Sequence, residues 1–377
     1  MNSIRYPIWM DEYVFYRLSS ELPDYSSTAD WFYDDRPEIM NASVDWTEMG
    51  FDYDAALKLT YDTQVFHHTP LPVILVWPIV KGLNTLADYN VIPHIEEQPG
   101  AYLVRYNPDG TFVDVEEVRD NILNQHAETI TIILRCIPLF LFALSMWLIY
   151  KMMARRVGLN AMLFILPLAA NDTLLSGSYM FYWDAFMMFF FVLTLYLMET
   201  RPNGKWHYLT ACLMINTKMF IPFLFLIPLI VKGFTQSKRK GFLMLLPGFT
   251  ILPFYAVTVG VTGDLFAPFT HYLEGMWIHE FIYKAMFNPI SLLSFGTIVY
   301  MLLTLPILWF YKKHPVYATT YLVGLLYGWC TGLGITQLSV LLYVGALVVP
   351  LIGGEFHFME RVEKWVSVKK SVEVAGE

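Results

Sequence analysis

The chain is 377 residues long, with 56% hydrophobic residues, 17% aromatics, 15% charged residues and a mean hydropathy of +0.44. That is more apolar than an ordinary soluble globular domain, so the composition points to a membrane protein. The net charge of -8 is unevenly spread: residues 1–128 carry 22 Asp and Glu against 7 Lys and Arg, whereas the remainder carries 11 against 18. So acidic a first third excludes nucleic acid as a partner and repels anionic headgroups.

Taken from the start, ten residues precede Asp11 and contain neither a signal-peptide core nor a span. The expectation is that a helix lies upstream or that the acidic segment is exported by the first downstream span. Asp11 and Glu12 stand among Trp9, Tyr13, Phe15 and Tyr16. A carboxylate can serve as general base for an attacking hydroxyl or amide. Adjacent residues on a helix diverge by about 100°, so one of the two faces the reacting atoms, and we take Asp11. The plainer alternative is that both belong to a solvated acidic segment.

His67 and His68 precede Thr69-Pro70-Leu71-Pro72, where the prolines stiffen the entry to a short apolar stretch over 70–87. A histidine there can donate to a lipid phosphate, aided by the start of the helix, or be structural. Pro72 and Pro78, the shortness of the run and the charge pattern downstream predict an interfacial or re-entrant helix. Residues 1–128 are thus expected to form an acidic extracytoplasmic segment containing that helix.

From 129 to 353 the sequence predicts a bundle of about seven or eight transmembrane helices, and 354–377 a cytoplasmic tail. Windows of about 20 apolar residues fall near 129–153, 180–199, 241–262, 288–311 and 335–353, with shorter ones near 160–175 and 315–332. Basic residues cluster at 151–156, 201–205, 232–240, 312–313 and 364–370. All five clusters lie on the cytoplasmic side only if 206–232, broken at Asn216-Thr217-Lys218, enters and leaves by one face as two half-helices. Lys218 then sits at the apex of a hairpin.

Charged residues inside spans are costly and need a partner or a polar cavity. Arg135 lies early in the first span, Asp184 near the outer end of a later one, and Lys218 at the hairpin apex. Their plainer roles are interfacial anchoring, a structural ion pair and a cytoplasmic position, in that order. The loop 263–287 holds Asp264, His271, Glu274, His279 and Glu280 without zinc-site spacing, and no feature of the sequence calls for a metal or other cofactor. Cys136, Cys212 and Cys330 sit in apolar stretches at no metal-ligand spacing and are expected to be small buried side chains. Asn41 and Asn171 match the glycosylation acceptor pattern, which is frequent by chance.

In order, Asp11-Glu12-Tyr13, His68-Thr69-Pro70-Leu71, Arg135, Asp184 in Tyr182-Trp183-Asp184, and Lys218-Met219-Phe220-Ile221-Pro222 resemble the GT-C superfamily of integral-membrane glycosyltransferases. That superfamily includes the protein O-mannosyltransferases and the lipid A aminoarabinose transferases. The likeness covers residues 9–232; Thr69 replaces the usual first proline, and the helix that normally precedes the acidic motif is missing. The resemblance implies a mostly α, polytopic helical bundle with a large extracytoplasmic first loop. It implies transfer of a sugar from a dolichyl- or undecaprenyl-phosphate donor to a protein, lipid or glycan acceptor at the outer face of the cell membrane. Asp11 would then be the base, with Glu12 beside it, while His68, His67, Arg135 and Lys218 would hold the donor phosphate and Asp184 would complete the polar site. The competing expectations are a transporter or lipid flippase, and a noncatalytic subunit of a glycan-assembly complex.

Overall fold

The computed structural model describes residues 71–95, 129–157, 183–218 and 221–262, with short pieces at 15–16, 19–20, 161, 315–316, 318–320 and 322–323. Among the described residues the architecture is helical, without strands. Seven α-helices and one 3₁₀ helix account for it: α1 Leu71–Asp88, α2 Thr129–Val157, α3 Trp183–Thr200, α4 Trp206–Ile215, α5 Ile221–Gln236, α6 Lys238–Leu243, a 3₁₀ helix Leu246–Ile251, and α7 Leu252–Thr262. Helices α1 and α2 are long and apolar enough to cross a membrane, by length and composition alone. The expected windows near 160–175, 288–311, 315–332 and 335–353 lie wholly or mostly outside the described residues, as does the loop 263–287.

Helix α1 buries Val73, Val76, Val80, Leu83 and Ala87, a spacing of three and four residues that sets one stripe inward. The other side is also apolar at Ile74, Leu75, Ile79 and Leu86. The helix ends at Asn90, whose φ of 56° reverses the chain. The Val91 N–H then donates to the Leu86 carbonyl at 2.9 Å, and the Asn90 N–H to that of Ala87 at 2.8 Å. These two bonds are a Schellman closure, with asparagine in the left-handed position usually given to glycine.

Helix α2 has 29 residues, so at about 1.5 Å each it extends for roughly 43 Å. It packs along α3. The Arg155 guanidinium, near the end of α2, lies over the Tyr196 ring, near the end of α3, at 5.8 Å. The two helices therefore run in the same direction.

From α3 the chain folds back as α4. The Thr194 and Thr210 hydroxyls are 2.8 Å apart, a buried hydrogen bond linking the two helices. Helix α5 then returns parallel to α3: the Phe191 and Phe225 rings meet at 5.3 Å, and the Lys232 Nζ stands 3.3 Å from Glu199 Oε1. Helices α4 and α5 are thus the two half-helices expected of 206–232, meeting at a turn beginning at Asn216.

The expected continuous span over 241–262 is instead divided. Helix α6 gives way to a 3₁₀ turn at Leu246–Ile251 with Pro247 at its start, before α7 resumes the α-helical form. Pro247 and Pro253 lack the N–H that an uninterrupted ladder requires, which accounts for the change of helix type. The 3₁₀ piece lies against α4, where Asn216 Nδ2 donates to Thr250 Oγ1 at 2.8 Å.

Beside an apolar core, the described residues bury several polar side chains and leave large apolar ones open, and Cys136, expected to be buried, is exposed. Arg135, Lys218, His207, Thr194, Thr210 and Thr217 are buried, while Phe140, Trp147, Trp206, Phe242 and Phe249 are exposed. Exposed apolar surface on this scale calls for an apolar surrounding or a covering partner.

Candidate functional site

Contacts along α3 establish which end of the bundle each candidate residue occupies. Arg155, Arg201, Lys205, Lys232 and Lys238–Lys240 belong to helix ends and turns at one end: Lys240 Nζ bonds the Pro202 carbonyl at 2.6 Å and Asn203 Oδ1 at 3.3 Å, tying the α5–α6 turn to the α3–α4 turn. The opposite end begins at Trp183 and Asp184, in the first turn of α3.

Lys218 lies toward that opposite end. Helices α3 and α4 are antiparallel: from Thr194 opposite Thr210, the register carries Ile215, the last residue of α4, to about the height of Phe189, and Lys218 follows in the turn beyond it. Lys218 is only 6% exposed, and it is engaged with partners. Thr217 closes the end of α4 by donating from Oγ1 to the Met214 carbonyl at 2.6 Å.

The residues that follow the acidic motif reach this same end. The Phe15 side chain is fully buried, with its ring edge-on to Phe186 at 6.2 Å. Next to it, Tyr16 Oη donates to Asn84 Oδ1 of α1 at 2.7 Å, and Asn84 Nδ2 reaches Ser20 Oγ at 3.3 Å. Ser19 and Ser20 donate back to the carbonyls of Phe15 and Tyr16, the i to i−4 pattern of helical backbone. This clasp places the chain four residues after Asp11 against α3, two residues after Asp184, with α1 alongside. Asp11 and Glu12 themselves, and His67 and His68 just before α1, lie outside the described residues.

Arg135 stands apart from this level. It lies about 30 Å along α2 from Arg155, whereas Asp184 lies about 18 Å along α3 from Tyr196, at ~1.5 Å per residue. Because α2 and α3 are parallel, Arg135 is farther from the basic end than Asp184, by on the order of 10 Å. It is 1% exposed, the largest of the fully buried side chains, and it too is engaged with partners.

Sequence reasoning missed the clasp and the Thr194–Thr210 bond. Asn84, an amide in the mostly apolar run ending at Ala87, is the signal that was available for the first, since an amide on the half-buried side of a helix calls for a partner. A threonine at mid-helix gives no comparable signal, because it can satisfy itself by bonding its own preceding turn, as Thr194 does to Phe190. Among the described residues no group of three or more His, Cys, Asp and Glu is arranged to hold a metal ion. No protein-family model, curated protein or solved structure matches the chain.

Proposed function

We propose that this protein is a polytopic membrane glycosyltransferase of GT-C type, which moves a sugar from a polyprenyl-phosphate donor to an acceptor at the outer face. The observation that carries this reading is the gathering of Asp184, Lys218 and the segment following Asp11 at one end of the bundle, away from the basic turns. Positive-inside placement makes that end extracytoplasmic. Buried aromatic contact at Phe15 restrains the approach of the acidic segment, which suits a residue that must hold a base in one place.

In this reading Asp11 accepts the proton of the attacking acceptor group as the bond from sugar carbon to phosphate oxygen breaks, and the configuration at carbon inverts. The leaving phosphate gains negative charge, so cations near it stabilise the transition state more than the ground state. Lys218, in the turn after α4, and Arg135, farther out, are the buried cations able to do so, with His68 or His67 at the start of α1 as hydrogen-bond donors. Glu12 is the neighbouring acid and Asp184 a partner for the cations. In this reading α1 lies at the outer interface.

Membranes expressing the chain, supplied with a panel of radiolabelled polyprenyl-phosphate sugars, test this. Wild-type protein should transfer one of the donors, and Asp11→Asn at matched abundance should lower the rate by about 100-fold or more, the usual contribution of a general base. An Asp11→Asn variant as active as wild type would overturn the assignment.

One observation favours a second reading. A hairpin of two half-helices with a buried cation at its turn is also a way for transporters to build a substrate site from irregular backbone inside a bundle. Proteoliposomes containing the chain separate the two, since a flippase moves labelled lipid between leaflets without any acceptor and a transferase does not.

A further inference from the structure

The end of the bundle opposite the candidate site has an organisation of its own. Arg201 and Lys205 in the α3–α4 turn, and Lys238 and Arg239 at the start of α6, are exposed. The two turns that carry them are held together by Lys240, which bonds Pro202, Asn203 and Gln236 at 2.6, 3.3 and 3.2 Å. The cluster has little acid to neutralise it: from Thr129 onward the acids among the described residues are Asp184, at the other end, and Glu199, which Lys232 already engages. Lys205 occupies the N-cap of α4 without a side-chain cap bond, so the first N–H groups of that helix add positive potential beside these side chains.

Directly beside the charges is an apolar wall. Trp206 is 62% exposed and Phe242 63%, with Leu209 and Phe234 also open. Phe234 and Phe242 meet edge to face at 5.4 Å across the α5–α6 turn. Cations on rigid turns immediately beside exposed tryptophan and phenylalanine are the arrangement of a membrane–water interface.

We infer that the paired α3–α4 and α5–α6 turns form a docking surface for the phosphates of acidic phospholipid in the cytoplasmic leaflet, with acyl chains lying against the aromatic wall. This rests on the membrane placement of the bundle and not on the transferase chemistry. A soluble phosphate would use the cations but has no use for the wall, which is why the bilayer lipid is the occupant. The four exposed cations act together; each contributes roughly a five-fold preference for an anionic surface, equivalent to about 1 kcal/mol near the membrane.

The test uses the full chain in nanodiscs of phosphatidylcholine, with and without phosphatidylglycerol, and reads the midpoint of thermal unfolding. Wild type should melt higher with phosphatidylglycerol, and Lys81→Gln, a change on α1, should keep the difference. The variant Arg201→Gln/Lys205→Gln/Lys238→Gln/Arg239→Gln should lose it. Persistence of the full difference in that variant would overturn the proposal, as would an equal rise from inorganic phosphate added to phosphatidylcholine discs. Should the variant fail to fold, wild type alone decides: raising the salt concentration must shrink the difference, and a salt-insensitive difference rejects the site. Recovery of the chain outside the discs would reject the membrane placement itself, whereas failure of sugar transfer leaves this surface untouched.

Discussion

At the scale of the residue, polar side chains join elements through hydrogen bonds that are buried at Thr194–Thr210, part-buried at Tyr16–Asn84 and exposed at Asn216–Thr250. Where helices are surrounded by lipid, moving an apolar side chain from lipid to a helix interface brings little hydrophobic gain, and association relies on close packing and hydrogen bonds. Thr194 with Thr210, Asn84 with Tyr16, and Asn216 with Thr250 each join separate elements through a bond of 2.7 to 2.8 Å. Asn90 acts differently, through its backbone. A side chain with a Cβ in the left-handed region costs about 1 to 2 kcal/mol unless, like asparagine, it tolerates that region. Asn90→Ala should therefore destabilise the end of α1 by about 1 kcal/mol while Asn90→Gly is tolerated, seen as a lower thermal midpoint for the alanine variant only. The candidate base Asp11 carries the other prediction at this scale, loss of transfer in Asp11→Asn.

At the scale of the element, the informative pair is α5 with α6. A Cβ added at Gly233 would come within 2.9 Å of the Gly241 Cα and of the Lys240 carbonyl oxygen, and one added at Gly241 would run into the Phe234 ring. The two glycines allow the helices to touch at the turn, which positions Lys240 to bond the α3–α4 turn. Backbone atoms cannot yield as the tip of a side chain can. Gly233→Val should force the helices apart at a cost of about 1 to 3 kcal/mol, lowering the thermal midpoint in detergent. Loss of the Lys240 bonds should follow, so trypsin should cut more rapidly after Lys205 in that variant than in wild type. Equal cleavage in the two proteins would mean that the turns are held by something other than the glycine contact.

At the scale of the whole molecule, the central feature is the common direction of α2, α3 and α5. Each ends among basic residues, and α4 runs back between the ends of α3 and α5, so charge is sorted by direction as well as by position. Single cysteines at Arg155, Arg201 and Arg239 should all react with a membrane-impermeant maleimide from one side of sealed vesicles and none from the other, judged by a mass shift on a gel. Reaction of Arg155→Cys from the opposite side to Arg201→Cys would contradict the parallel packing of α2 and α3. The same arrangement leaves Phe15, seated against Phe186, and the basic turns at opposite ends of the bundle.

The sequence by itself determined the helical class, the apolar character, the position of α2 and α3, and the break after Ile215. These follow from local rules: runs of about 20 apolar residues, and an Asn-Thr-Lys stretch that interrupts one. The half-helix reading of 206–232 came from charge alone, because basic residues on both flanks cannot lie on one side if the segment crosses completely. Only the tertiary structure decided that the turn holding Lys218 lies toward the Asp184 end of α3, that Phe15 is seated against Phe186, and that Arg135 lies farther out. Those are relations between residues distant along the chain, fixed by ring contacts and hydrogen bonds between helices, and no local period encodes them. The division of 241–262 into α, 3₁₀ and α pieces falls between the two. Pro247 and Pro253 were legible as breaks in the ladder, but the short 3₁₀ form was settled by contact with α4, where Asn216 reaches Thr250.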